Sequence, residues 1–202
     1  MNDPIADYRQ RYEAFLVAIA ENLQKHLEGY LEGIPHIDRV VARAKDPDRF
    51  AEKAHRKQED GSPKYNKPLT EIQDQIGARV IVFYLDDVSV VTDVVTRYFQ
   101  PIEQRELVPE SEWEFGYFGK HFVLPVPGDV VPEGVEPAKV PRFFELQIKT
   151  LFQHAWSEAE HDLGYKAPEA LSKDQLRRLA YTAAQAWGAD RVFDELRAEL
   201  LA

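Results

Sequence analysis

Six cations fall within fifteen residues of the sequence: Arg43, Lys45, Arg49, Lys53, Arg56 and Lys57. Positions 49, 53, 56 and 57 follow helical spacing and share one face, while Arg43 and Lys45 precede them at strand-like spacing. Guanidinium groups fork onto phosphate oxygens and ammonium groups act as point charges, so the cluster suits a polyphosphate. A solvated helix face, with Glu52 pairing to Arg56, is the plainer reading of the same residues. Asp74-Gln75-Ile76-Gly77-Ala78-Arg79 sets a carboxylate just before an apolar run and one cation at its start. An acid and an arginine there could hold a metal ion and an anionic or planar ligand, or simply pair at a strand edge.

Three further constellations carry polar chemistry. In Phe143-Phe144-Glu145-Leu146-Gln147-Ile148-Lys149, strand alternation points Phe144, Leu146 and Ile148 one way and Glu145, Gln147 and Lys149 the other. The polar set is either a solvated sheet face or the floor of an active site. Asp74 and Glu145 together would supply the two oxygen ligands that a magnesium–nucleotide site uses. Gly116-Tyr117-Phe118-Gly119-Lys120-His121 is a flexible loop whose tyrosine could stack on a base, or lie buried in a hairpin. His154, Glu158 and His161 share a helix face without the His-Glu-x-x-His pattern of zinc proteases, and the adjacent His161-Asp162 pair is weak evidence for a metal hydrolase.

These residues need elements to position them. The first thirty residues read as one amphipathic helix, closed by Gly33-Ile34-Pro35. Asp46-Pro47 starts a second helix that runs to about Lys57, and 59–68 is a loop. A buried strand over 78–85 is followed by a helix over 86–99, capped by Asp86-Asp87. Short strands follow over 102–108 and 120–124, with acidic Glu110, Glu112 and Glu114 between them. Five prolines between Pro125 and Pro141 make a stiff connection unsuited to regular structure. A strand over 142–149 leads to helices over 151–163 and 172–200, the last opened by the capping box Ser172-Lys173-Asp174-Gln175. The order predicts one α+β (mixed α/β) domain: a mixed sheet flanked by helices, with helices at both ends.

Composition narrows the function classes. The 202 residues are enough for one domain with a full core, and 44% hydrophobic against 30% charged residues is a globular balance. With 25 Lys and Arg against 35 Asp and Glu, the formal charge of −10 disfavours a general nucleic-acid or anionic-membrane coat. The absence of cysteine excludes disulfides, thiolate chemistry and Cys-ligated zinc. Met1-Asn2-Asp3-Pro4 is not a secretory leader, and the run Val80–Leu85 is too short to span a bilayer. A soluble, cytoplasmic protein is the expectation.

Taken together and in order, the motifs resemble those of the synthetase domain of RelA/SpoT-type alarmone synthetases. The resemblance covers about Ile37 to Lys166. It rests on Arg43-x-Lys45, Lys53-x-x-Arg56, Asp74-x-x-Gly77-x-Arg79 and Gly116-Tyr117-x-x-x-His121. Glu145-x-Gln147-Ile148-Lys149-Thr150 and His154-x-Trp156-x-x-x-Glu160-His161 through Tyr165-Lys166 complete it and are its most specific part. The small single-domain form of the family is the match by length.

The resemblance implies a nucleotidyltransferase-like mixed sheet and transfer of the β,γ-pyrophosphate of ATP to the 3′-hydroxyl of GDP or GTP, releasing AMP. It implies Arg43 and Arg79 on either side of the adenine, and Lys45, Lys53 and Arg56 on the triphosphate. Asp74 and Glu145 would hold Mg2+, with Glu145 also taking the proton of the attacking hydroxyl. Tyr117 would stack on the acceptor base, with His121, Gln147 and His154 nearby. Arg49 stands where a serine is frequent and adds a phosphate contact or narrows the ATP pocket. Gly119 replaces a usual serine and Lys149 a frequent arginine, so the acceptor side departs most from the pattern. Toxic small members use adenine nucleotides or the tRNA 3′ end as acceptor. The net charge disfavours tRNA, although Lys64, Lys67 and Lys120 could form a local patch. A non-catalytic nucleotide-binding module is opposed by retention of both Asp74 and Glu145. The partners implied are a second copy meeting the terminal helices and, for a toxic member, an antitoxin.

Overall fold

Alternation along five strands divides the sheet into an apolar face and a polar one. The computed structural model describes residues 3–106, 115–117, 119–166 and 170–201. The strands are β1 (Ile37–Ala44), β2 (Ile76–Val82), β3 (Glu103–Glu106), β4 (Lys120–Pro125) and β5 (Phe143–Thr150), in the order β1-β2-β5-β4-β3. Only β2 and β5 run parallel; every other pair is antiparallel. Val40 and Ala44, Ala78 and Val80, Phe122 and Leu124, and Phe144, Leu146 and Ile148 enter one core. That core also takes Ile19, Leu23 and Leu27 from α2 (Val17–Tyr30) and Val88, Val91 and Val95 from α5 (Leu85–Tyr98). The opposite face keeps its polar residues in register: Arg43 lies beside Gly77 and Gly77 beside Glu145, while Arg79 lies beside Gln147 and Gln147 beside His121.

The sheet has one strand more than the sequence predicts. In β1 only Val40 and Ala44 are fully buried and Val41 faces solvent, so an edge strand of charged and small residues carries a faint alternation signal. The expected mixed sheet flanked by helices is otherwise what forms, with strand and helix ends shifted by a few residues. Residues 107–114, including the acidic stretch, and Phe118 lie outside the described residues, as do the side chains of Tyr165 and Lys166.

The opening helix carries a change of pitch. α1 (Pro4–Arg11) passes through a π-helical turn, Tyr12–Leu16, into α2. The wider turn re-phases the apolar stripe so that Tyr8, Leu16, Ile19, Leu23 and Leu27 are all buried. α3 (Pro47–Ala54) begins as the sequence predicts, with Asp46 accepting from the amides of Asp48 and Arg49 and proline at the first position. It stops three residues before Lys57, because a small hairpin claims the following backbone. Lys57 bridges Pro63, the Gln58 amide donates to Ser62, and Gly61 takes the positive φ the turn requires. Arg56 and Lys57 therefore leave the helix face that the spacing had given them.

The remaining elements are α4 (Pro68–Glu71), α6 (Leu151–Lys166) and α7 (Lys173–Leu201). The proline-rich span holds only two single turns of 3-10 helix, Gly128–Val130 and Pro137–Lys139. α2 fixes it: Asn22 donates to the Val130 carbonyl at 3.0 Å, and His26 lies 2.9 Å from Asp129. Ser172 and Gln175 exchange the two bonds of a capping box at the start of α7.

Tyr8 joins the N-terminal helix to the polar end of the sheet. Its ring stacks on Phe50 at 3.8 Å, and its hydroxyl donates to the Lys45 carbonyl at 2.8 Å. Burial, reinforced by the Asp74 charge, pushes the phenol pKa up and keeps that donor protonated. Tyr8→Phe keeps the stack and removes the donor. We expect a loss of about 1–2 kcal/mol in urea unfolding, and an unchanged midpoint would contradict this fastening.

Candidate active site

Three separate segments converge on one carboxylate. Asp74 lies two residues before β2, Lys45 just beyond β1, and Lys53 in the last turn of α3. The Lys45 amide donates to the Gln75 carbonyl at 2.8 Å, which fixes the first two segments together. Asp74 Oδ2 accepts from Lys53 Nζ at 2.8 Å and lies 3.1 Å from Lys45 Nζ. Burial pushes the Asp74 carboxyl up, but the two ammonium groups outweigh it and hold the pKa below the usual range. Asp74 is thus an ionised carboxylate at neutral pH, and its Oδ1 is buried without a hydrogen-bond partner.

The other four cations expected to bind ATP surround this centre more loosely. Arg43 is exposed on the polar face of β1, and Arg56 is exposed beyond the end of α3. Arg49 is half-buried on α3, with Nη1 3.5 Å from Glu52. Arg79, half-buried on β2, pairs with Glu158 of α6 at 2.7 Å.

Glu145 forms the second centre. It stands on β5 next to Gly77, and the Asp74 charge acts on it. Burial pushes its pKa up, while a hydrogen bond and charge from His121 pull it lower, leaving it below the ordinary value. His121 Nδ1, brought by β4, is 2.9 Å from Glu145 Oε1. Gln147 is the next polar residue along β5, and His154 comes from the first turn of α6. Burial lowers the His154 pKa and favours the neutral ring.

Buried polar atoms normally find partners, so the exceptions are informative. Among the described residues five side-chain atoms are buried without one: Asp74 Oδ1, His121 Nε2, Gln147 Oε1, His154 Nδ1 and Asp190 Oδ1. Four belong to residues singled out from the sequence, and they supply the hydrogen-bonding groups of a polar ligand site. Asp74 and Glu145 supply hard oxygen donors, and Asp74 Oδ1 is free to bind a cation. A set of one or two carboxylates fits Mg2+, which takes its other ligands from water and phosphate. No group of three or more His, Cys, Asp or Glu able to hold a metal occurs among the described residues.

Tyr117 is placed differently from an open stacking platform. Its ring is only 7% exposed and packs with Trp156 and Ala183, and its hydroxyl donates to Asp190 at 2.6 Å. Asp190 was not legible as a site residue. Its one signal is a carboxylate in the stripe Leu179-Ala183-Ala186-Asp190 of an otherwise ordinary amphipathic helix. Gly119 has a steric reason: a Cβ there would overlap the Ile148 carbonyl, so a serine does not fit this backbone. A cavity of about 810 Å³ between α6 and α7 is lined mainly by apolar side chains such as Phe152, Trp156 and Leu179. None of the residues described above as ligand-facing lines it.

A model of the region found in RelA / SpoT proteins matches residues 42–170, well over half of the chain. The chain belongs to the RelA/SpoT family. Among curated relatives, the GTP pyrophosphokinase YjbM of Bacillus subtilis (strain 168) is 29% identical over 205 residues, covering 95% of this chain and 90% of that one. The crystal structure of small alarmone synthetase 1 from Bacillus subtilis superposes with a TM-score of 0.70 at 26% identity, covering 98% and 95% of the two chains. The same synthetase bound to its product pppGpp gives a TM-score of 0.69 at 24% identity, covering 98% and 96%. The RelA/SpoT region thus holds the Asp74 and Glu145 centres, while α1, α2 and α7 lie outside it.

Lys149 is 4% exposed and donates to Ser157 at 2.9 Å. Burial, with help from Arg79, pushes its pKa from 10.5 down to about 8. Between those values the unfolded chain binds more protons, so this residue's contribution to stability rises with pH. Relative to Lys149→Met, the wild-type unfolding free energy should gain up to about 3 kcal/mol from pH 7 to pH 10.5. Urea unfolding at both pH values measures it, and a constant difference would contradict a depressed lysine.

Proposed function

We propose that this chain is an ATP-dependent pyrophosphokinase that transfers the β,γ-pyrophosphate of ATP to the 3′-hydroxyl of GDP or GTP, forming (p)ppGpp and AMP. The observation that carries the proposal is the ionised Asp74, clamped on one oxygen by Lys45 and Lys53 and free on the other, beside the Glu145–His121 pair. Lys45, Lys53, Arg49 and Arg56 neutralise the triphosphate, and Arg43 and Arg79 flank the adenine. Gln147, His154 and His121 receive the acceptor, with the buried Tyr117 supporting the segment beside them.

In the transfer, the 3′-oxygen bonds to the β-phosphorus and the bridging oxygen to the α-phosphorus leaves with AMP. The hydroxyl proton passes to Glu145, which its low pKa keeps ionised and His121 keeps oriented. Asp74 and Glu145 would hold Mg2+, which when bound would supply charge neutralisation at the transferring phosphates. Lys45 and Lys53 add positive charge where negative charge develops.

The terminal helices are proposed as the contact with a second copy. α7 leaves Tyr181, Trp187, Phe193, Leu196 and Leu200 exposed, more apolar surface than a solitary helix face usually shows. An antitoxin is the competing occupant of that face. No helix among the described residues is long and apolar enough to cross a membrane. The nucleotide substrates make the cytoplasm the proposed location.

The test is label transfer from γ-labelled ATP to GDP, GTP, ADP, ATP or bulk tRNA offered in parallel. Label on GDP or GTP with stoichiometric AMP is expected, while label confined to adenine nucleotides or tRNA would contradict the acceptor. Asp74→Asn and Glu145→Gln should each lower transfer by about 100-fold or more with unchanged circular dichroism. Near-normal turnover in either would contradict the assigned centre, and transfer that survives EDTA would contradict the metal.

A further inference from the structure

The Asp190 carboxylate is 1% exposed, and it is one of only two residues that the 29-residue α7 buries; the other is Ala183. A carboxylate in such a place costs folding energy unless it is well bonded. One oxygen does all the bonding: Asp190 Oδ2 accepts from Tyr117 at 2.6 Å and from Thr150 at 2.5 Å. Thr150 is the last residue of β5, and it is itself locked into the β5–α6 turn by two bonds exchanged with Gln153. Asp190 therefore ties the segment that carries Tyr117 to the end of the strand that carries Glu145.

Docking of α7 does not by itself require this acid. Arg197 of α7 reaches the buried Asp87 at 3.2 Å and lies over the Tyr84 ring, and Trp156 donates to Thr182 at 3.2 Å. Two residues after Tyr117, Gly119 lies too close to the β5 backbone for any side chain. Two residues further, His121 meets Glu145. Tyr117, through Asp190, and His121, through Glu145, are thus each bonded to β5 or its end, with Gly119 lying close against β5 between them.

We propose that Asp190 is a positioning residue for the acceptor nucleotide, holding Tyr117, and through it the acceptor segment, in register with Glu145. This rests on the pyrophosphokinase reading above. The contribution comes from a helix that lies beyond the matched RelA/SpoT region. α7 is then part of the acceptor side of the enzyme as well as a flank.

Steady-state kinetics of Asp190→Ala, Asp190→Asn and Tyr117→Phe, with ATP and GDP varied separately, test the proposal. Asp190→Ala and Tyr117→Phe should each raise the acceptor KM about tenfold while the ATP KM stays within about twofold. The double variant should be no worse than the poorer single one, because both remove the same bond. Asp190→Asn can keep both bonds on its amide oxygen and should stay within about threefold of wild type. If Asp190→Ala fails to fold, Tyr117→Phe still decides, because it leaves the Thr150 bond in place. An acceptor KM that is unchanged or lowered, or an ATP KM that rises equally, overturns the proposal while the activity stands. Wild-type protein that transfers nothing to a guanine nucleotide overturns the activity and this proposal with it.

Discussion

A half-buried carboxylate next to two ammonium groups is the constraint on which the rest of the structure depends. Burial alone would favour the neutral acid at Asp74, and Lys45 and Lys53 reverse that preference. The three residues come from the end of a strand, the end of a helix and the approach to another strand. Each end must be fixed to within a few tenths of an ångström for the charges to meet. The Tyr8 hydroxyl on the Lys45 carbonyl, the Tyr8–Phe50 stack and the Asp46 cap of α3 provide that fixing. The N-terminal helix is therefore part of the site's foundation even though it contributes no side chain to the polar face.

The sheet supplies the second requirement, which is proximity between two acids without mutual neutralisation. Pairing β2 and β5 in parallel sets Gly77 against Glu145, and the absence of a side chain at Gly77 leaves room beside the Asp74 centre. His121 on β4 then gives Glu145 its own partner, so both carboxylates stay ionised by different means. One is held by two lysines and the other by a histidine. In the proposed reaction this separates an acid that would hold the metal beside the phosphates from one that would also accept the proton of the attacking hydroxyl.

Much of this was legible in the residues. The alternation in Phe143–Lys149 puts Glu145 and Gln147 on one face, and the Asp46-Pro47 start of α3 with its helical spacing puts Arg49 and Lys53 on another. β1 escaped notice because an edge strand with Arg39, Val41 and Arg43 pointing outward has little apolar periodicity. The end of α3 was overrun because helical spacing of cations continues through Lys57, while the hairpin that stops the helix depends on a bridge to Pro63 and a positive φ at Gly61. Asp190 lay beyond the reach of motif reasoning, since its partners Tyr117 and Thr150 are 73 and 40 residues away and only the fold joins them. The sequence singles out Tyr117 as a ring that stacks on a base or lies buried, but its burial against Ala183 of α7 belongs to the same long-range contact.

The central claim is that both nucleotides meet on the polar face of the sheet, the donor at Asp74 and the acceptor at Glu145. A crystal structure with a non-hydrolysable ATP analogue and GDP tests it most directly. The account predicts phosphates against Lys45 and Lys53, adenine between Arg43 and Arg79, and the acceptor 3′-hydroxyl within hydrogen-bond reach of Glu145. Nucleotide seated instead in the apolar cavity between α6 and α7, with the Asp74 cluster untouched, would contradict it.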